Sequence, residues 1–322
     1  MRSRTEDKSM EELRGSTHQY ATGNGVSFRP CSSTCHKLPP GVYQFCQTQD
    51  GPLFRRTDSN PEKLFEFPDT NIGKVVNEIE KFWSLESHFR DHRINYKRGI
   101  LLYGPPGTGK SCAIRIASNK VISRGGIVVS NFDPEFLSCY EAFRTNEPDT
   151  PLLVIIEDLD AILQCYSESS ILNILDGIYH LHKVVFLATT NYPQKLGPRI
   201  INRPSRFDRR FEIGYPSEES RLIYLKSIWP DGPESTVSDW AASTGGFSFA
   251  HLKELFVSVH LLENEFKDAL DVIKSMRDAI VEQQLDESSG SPSEAVECPA
   301  TLKGGNVGLC VKMDPRETSC NA

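Results

Sequence analysis

Residues Gly104-Pro105-Pro106-Gly107-Thr108-Gly109-Lys110-Ser111 fit the spacing G-x-x-x-x-G-K-[ST], directly after the apolar run Ile100-Leu101-Leu102-Tyr103. Glycines at these places let successive backbone N–H groups turn inward onto phosphate oxygens. A helix opening at the end of the loop adds its partial positive charge. Lys110 would reach the β- and γ-phosphates, and the Ser111 hydroxyl would ligate Mg²⁺. Cys112 follows immediately and would lie beside the same phosphates. The chemistry this pattern serves is the binding of a nucleoside triphosphate.

Three further groups could act on such a ligand. The stretch "LLVIIEDLDA" (152–161) is an apolar run ending in Glu157, Asp158 and Asp160. One carboxylate there can join the Mg²⁺ shell, and a second can orient or deprotonate an attacking water. "KVVFLATTNYP" (183–193) ends in Thr189, Thr190 and Asn191, whose amide would sit beside the acidic pair. "NRPSRFDRRFE" (202–212) holds Arg203, Arg206, Arg209 and Arg210. Such arginines either pair with surface carboxylates or reach a phosphate as planar donors.

These side chains must be set on one rim. Apolar runs at 100–103, 127–129, 152–156, 184–187 and 211–213 lack polar alternation, as strands buried on both faces of a parallel sheet do. Helical stretches between them supply the crossovers, and parallel strands gather their functional groups at their carboxyl ends. Ahead of the sheet, Ile72, Val75, Val76, Ile79, Phe82 and Trp83 recur at helical spacing. The expected organisation is a polar, flexible segment over 1–28 and a short extension over 29–70, with a possible hairpin about Asp50-Gly51-Pro52. An α/β nucleotide domain follows over 71–216, a small all-helical unit over 217–285, and a disordered tail over 286–322.

Composition narrows the function. A formal net charge of -7 offers no electrostatic footprint for nucleic acid or an anionic membrane. No apolar run approaches the ~18 residues of a membrane span, and the first residues lack a secretory signal. Nine scattered cysteines suit reduced thiols and a cytoplasmic setting.

Together, "GPPGTGKS", "LLVIIEDLDA", "ILNILDGI" (171–178), "ATTN" and "RPSRFDRRFEIGYP" make residues 71–282 resemble the AAA family of AAA+ P-loop ATPases. The resemblance implies an αβα sandwich around a five-stranded parallel sheet, a C-terminal helical lid, and ATP with Mg²⁺ at their junction. It also implies a homo-oligomeric ring, usually a hexamer, that hydrolyses ATP and remodels a macromolecule; the acidic balance favours a protein substrate, with an ATPase acting on nucleic acid as the alternative. On that pattern Gly104 to Ser111 bind the phosphates, Ser111 and Glu157 serve the metal, and Asp158 polarises water. Asn191 resembles sensor 1, Arg203 and Arg206 resemble the paired arginines that act on a neighbouring subunit, and Ile72-Gly73 resembles the segment beside adenine.

The sequence departs from the pattern in its acidic pair, Glu157-Asp158 where Asp-Glu is usual. The same order occurs in the branch that holds the mitochondrial Rieske-assembly chaperone, whose membrane anchor has no counterpart here. Asp is one methylene shorter than Glu, so hydrolysis and a nucleotide-gated scaffold with negligible turnover both stay open. Near "PEFLSCYEAFR" (134–144), where threading members carry an aromatic loop, Tyr140 is either that aromatic or a packing residue.

Overall fold

The computed structural model describes residues 19–21, 29–31, 34–57, 71–176, 181–201, 203 and 206–289. Strands β1 (Gln19–Ala21) and β2 (Arg29–Cys31) pair antiparallel as a two-stranded sheet. Strands β3 (Gly41–Thr48) and β4 (Gly51–Thr57) form a hairpin that turns at Asp50-Gly51, with Gly51 at φ 112°. Only glycine adopts that conformation without strain. The chain continues through α1 (Ile72–Ser84), α2 (Glu86–Asp91), β5 (Lys97–Tyr103), α3 (Lys110–Ser123), β6 (Ile127–Val129) and α4 (Phe136–Asn146). Then come β7 (Leu152–Ile156), α5 (Leu159–Cys165), α6 (Glu168–Asp176), β8 (Val184–Thr190), α7 (Pro198–Ile201) and β9 (Arg209–Glu212).

The main sheet has the order β4-β3-β6-β7-β8-β5-β9, parallel throughout except for β4. Its two faces carry separate cores. Leu101 of β5 packs with Phe136, Phe143 and Phe186 on one face. Ile100 and Leu102 pack with Ile72, Ile79 and Ala117 on the other. Strands β7 and β8 are buried along their whole lengths, which is why their sequences show no polar alternation.

The five expected strands are β5 to β9, but the sheet has seven strands rather than five. The hairpin adds two, because three-residue β6 would otherwise leave an unpaired edge. Gly41, Val42 and Tyr43 lie in parallel register with Ile127, Val128 and Val129. Just past β6, the buried Asn131 side chain accepts from the Phe45 N–H and donates to the Phe45 carbonyl, both at 2.8 Å. The buried Glu147 carboxylate accepts from the Leu38 N–H at 2.6 Å.

Beyond Tyr215, α8 (Glu218–Ile228), α9 (Glu234–Ser243), α10 (Phe249–Phe256) and α11 (Phe266–Ser289) bury a core of their own, including Leu225, Trp240, Phe247 and Leu252. Helix α11 runs past Asp286, where the tail was expected to begin; residues 290–322, like 1–18, lie outside the described residues. Among the described residues no helix is long and apolar enough to cross a membrane. The expectation of uniformly reduced thiols needs correcting: Cys35, Cys46, Cys112 and Cys139 are free, whereas Cys165 is disulfide-bonded.

Candidate active site

Strand β5 delivers the glycine-rich loop and α3 starts at Lys110, so the loop spans the strand end and the helix N-terminus. Gly104, Gly107 and Gly109 all have positive φ, at 148°, 73° and 106°. A Cβ on Gly104 would stand 2.2 Å from the Ile213 carbonyl oxygen, so close approach as well as conformation demands glycine. The Thr108 hydroxyl lies within donating distance of the Pro105 and Ile213 carbonyls, at 2.9 and 2.8 Å, and fixes the loop against the end of β9. Lys110, only 8% exposed, folds its ammonium back onto the Gly104 and Pro105 carbonyls, each at 2.7 Å. Burial lowers the Lys110 pKa to about 8 even though the Asp158 and Asp160 charges oppose the shift.

Strand β8 pairs with β5 and β7 pairs with β8, and the two bring the other groups to the same rim. Glu157 accepts a hydrogen bond from Ser111, the residue after Lys110. Partial desolvation in the cleft and the Asp158 charge hold the Glu157 carboxyl above its ordinary value. Asp158 is raised likewise, by desolvation and then by Asp160, against the pull of Lys110. Asn191 donates its side-chain N–H to Asp158 Oδ1 at 3.3 Å. Lys110, Ser111, Glu157, Asp158 and Asn191, which span 82 residue numbers (191 minus 110, plus one), thus form one cluster.

Two other elements close over the loop. Ile72 is fully buried, and its Cδ1 would touch a Cβ placed on Gly109 at 3.5 Å. Gly73, beside it, is open on its side-chain face. From the helical unit, a Cβ on Gly107 would meet Ala250 Cβ at 2.7 Å and Ser248 Oγ at 2.8 Å. The Ala250 N–H donates to the Gly107 carbonyl at 3.4 Å. Ser248 and His251 cap α10 reciprocally: the His251 N–H donates to Ser248 Oγ at 3.3 Å and the Ser248 N–H to His251 Nδ1 at 3.2 Å. His251 is therefore a capping residue. Cys112 is half-buried against the apolar face around Ile114.

The arginines lie elsewhere. Arg206 is 5% exposed and bonds Asp176 at both ends, Nε to Oδ1 and Nη2 to Oδ2, each at 2.7 Å, with a further bond to the Arg199 carbonyl. Where the resemblance makes Arg203 and Arg206 a pair acting on a neighbouring subunit, Arg206 is held within its own chain in a buried bidentate pair. Arg203 meets the same Asp176 at 3.3 Å but keeps 64% of its side chain exposed. Arg209 stands 3.9 Å from Glu78, and Arg210 lines a 390 Å³ hollow with Leu101, Tyr103 and Pro193. Tyr140 is a packing residue, buried against Phe136, with its hydroxyl donating to the His182 carbonyl at 3.0 Å and accepting the His182 N–H at 2.7 Å.

Sequence reasoning missed Asp176 and Ser248 as contributors. Asp176 lies 30 residues before Arg206, with nothing local to pair them. Ser248, three residues before His251 at a helix start, does carry a readable capping signal.

Residues 100–215 match the model of the ATPase family associated with various cellular activities (AAA). The Cell division cycle protein 48 homolog of Archaeoglobus fulgidus is 31% identical over 180 residues, covering 49% of this chain and 24% of that protein. Protein CdcH of Halobacterium salinarum is 28% identical over 252 residues, covering 69% of this chain and 32% of that one. The ATP-dependent zinc metalloprotease FtsH of Hahella chejuensis is 30% identical over 231 residues, 62% of this chain and 37% of that one. The chain spans between about a quarter and a little over a third of the length of these relatives. The phosphate loop, the acidic strand end and the asparagine all lie inside the segment 100–215 that is similar to the AAA family of ATPases.

Proposed function

We propose that this chain binds ATP with Mg²⁺ and hydrolyses it to ADP and phosphate. The observation that supports this reading is the single cluster of Lys110, Ser111, Glu157, Asp158 and Asn191 on the rim of three adjacent strands. The inward-turned loop around 104–109 suits a polyphosphate, and a hydroxyl with a carboxylate is a hard-oxygen donor set that suits Mg²⁺. Ser111 and Glu157 would hold the ion, which when bound neutralises charge on the triphosphate.

The chain's own groups divide the remaining work. Lys110 turns its ammonium from the loop carbonyls to the β- and γ-phosphates. Asp158 accepts a proton from water as the water oxygen bonds to the γ-phosphorus and the bond to the bridging oxygen of ADP breaks. The elevated Asp158 pKa makes it a better proton acceptor than an ordinary aspartate. Asn191 orients Asp158 and the water. Ile72-Gly73 and the Ser248–Ala250 turn close the site, and the helical unit over 217–285 acts as its lid.

Among the described residues no arginine is bonded to the Lys110–Asp158–Asn191 cluster, and exposed Arg203 meets Asp176 instead. A second copy would supply Arg203 to its neighbour, which gives a homo-oligomeric ring, taken here as a hexamer. Such a ring in the cytoplasm would remodel a protein, in keeping with the acidic charge balance. Steady-state phosphate release at saturating ATP tests hydrolysis. Turnover in the native chain, abolished in Asp158→Asn with ATP still bound, is the expected result. Tight ATP binding with no turnover in the native chain would instead make it a nucleotide-gated scaffold, the alternative that the shorter Asp158 carboxylate leaves open.

A further inference from the structure

Asp158 adopts a left-handed backbone conformation, φ 48° and ψ 57°. L residues avoid this region, and Asp and Asn are the non-glycine residues that enter it most readily. The Asp158 N–H donates to the Thr189 hydroxyl at 3.1 Å, and Thr189 is 4% exposed in β8. Strands β7 and β8 pair Ile156 with Ala188, so the two residues stand side by side just past that rung. The Asp158 carbonyl caps α5 by accepting from the Ala161 and Ile162 N–H groups, at 2.8 and 3.1 Å. The following threonine, Thr190, donates to Asp160 Oδ1 at 2.6 Å and accepts the Tyr192 N–H at 3.0 Å. Two consecutive threonines of one strand therefore pin the turn of the next strand on both sides of the Asp158 side chain.

We infer that Thr189 is a positioning residue: its hydroxyl holds the Asp158 backbone left-handed, and that backbone turn supplies the reach that a glutamate would gain from its extra methylene. The inference rests on the hydrolysis proposed above and explains why the acidic order can be Glu157-Asp158 without loss of function. The Asn191 contact with Asp158 Oδ1 places the carboxylate on the rim shared by both strands. Asn, which also tolerates the left-handed region, keeps the geometry while removing the proton acceptor. Glu both disfavours this conformation and overreaches from it.

The test compares the full chain with Thr189→Val, Thr189→Ser, Asp158→Glu and the Thr189→Val/Asp158→Glu double variant. Three quantities are read: phosphate release, ATP affinity by calorimetry, and hydrogen exchange at the Asp158 amide without nucleotide. Thr189→Val is expected to slow turnover about tenfold, the rate equivalent of one lost hydrogen bond. Its ATP affinity stays within about twofold, and its Asp158 amide exchanges faster; Thr189→Ser restores both rate and protection. Asp158→Glu is expected to turn over more slowly than the native chain, and the double variant faster than Asp158→Glu alone. Native rate and native exchange in Thr189→Val, or a gain of rate in Asp158→Glu, would overturn the inference while leaving hydrolysis in place. A native chain that releases no phosphate would overturn the hydrolysis reading and the inference with it. If Thr189→Val does not fold, Thr189→Ser and Asp158→Glu decide alone.

Discussion

Lys110 shows how one side chain ties burial to ligand binding. Its ammonium rests on two carbonyls in a desolvated loop, and its pKa falls to about 8. A triphosphate needs the charged form, which is lost as pH rises through that value. ATP affinity is therefore expected to hold below about pH 8 and to weaken above it, approaching tenfold per pH unit; calorimetry across pH 7 to 9 measures this. Lys110→Ala removes charge-assisted bonds and is expected to weaken ATP binding more than about a hundredfold. The two arginines should part company. Arg206→Ala leaves Asp176 without its buried partner and is expected to cost about 3 kcal/mol in urea unfolding. Arg203→Ala, at an exposed position, is expected to keep stability within ~0.5 kcal/mol and lower turnover by about a thousandfold. Equal stability losses in the two variants would contradict this division. The contact among Lys110, Ser111 and Glu157 was legible in part, because the loop pattern is local and an acidic residue at a buried strand's end falls on the loop's rim. The fixing of Arg206 was not, because the Asp176 that immobilises it ends a helix 30 residues earlier.

The hairpin β3–β4 is the element that the sequence placed least well. Its alternating residues and Asp50-Gly51 turn mark a hairpin, since those signals are local. Its pairing with β6 is a contact across about 85 residues, reinforced by Asn131, and no short-range pattern reveals that. Strands β7 and β8 were legible for the opposite reason: burial on both faces writes itself into every residue. Asn131→Ala would leave the buried Phe45 N–H and carbonyl without partners. A loss of about 2 to 4 kcal/mol is expected, with faster hydrogen exchange confined mainly to β3 and β4. Exchange spreading evenly over the sheet would show that the hairpin is not a separately clasped element. The lid-side turn was also hidden, because the approach of Ser248 and Ala250 to Gly107 joins segments about 140 residues apart.

At the scale of the whole molecule, Arg203 pairs with Asp176 and not with the proposed nucleotide cluster, and an assembly would bring it to a neighbour's cluster. Lys110→Ala cannot hold ATP but presents Arg203, whereas Arg203→Ala holds ATP but lacks the donor. Mixing these two inactive variants is expected to restore a fraction of native turnover, read as phosphate release against mixing ratio; no recovery at any ratio would confine the site to a single chain. The most direct check on the central claim is calorimetric titration of Mg²⁺ and ATP into the full native chain at pH 7. Saturable binding at one site per chain, absent in Lys110→Ala, is the expected result. No heat of binding, or equal binding to both proteins, would contradict the claim that residues 104–111 enclose a triphosphate.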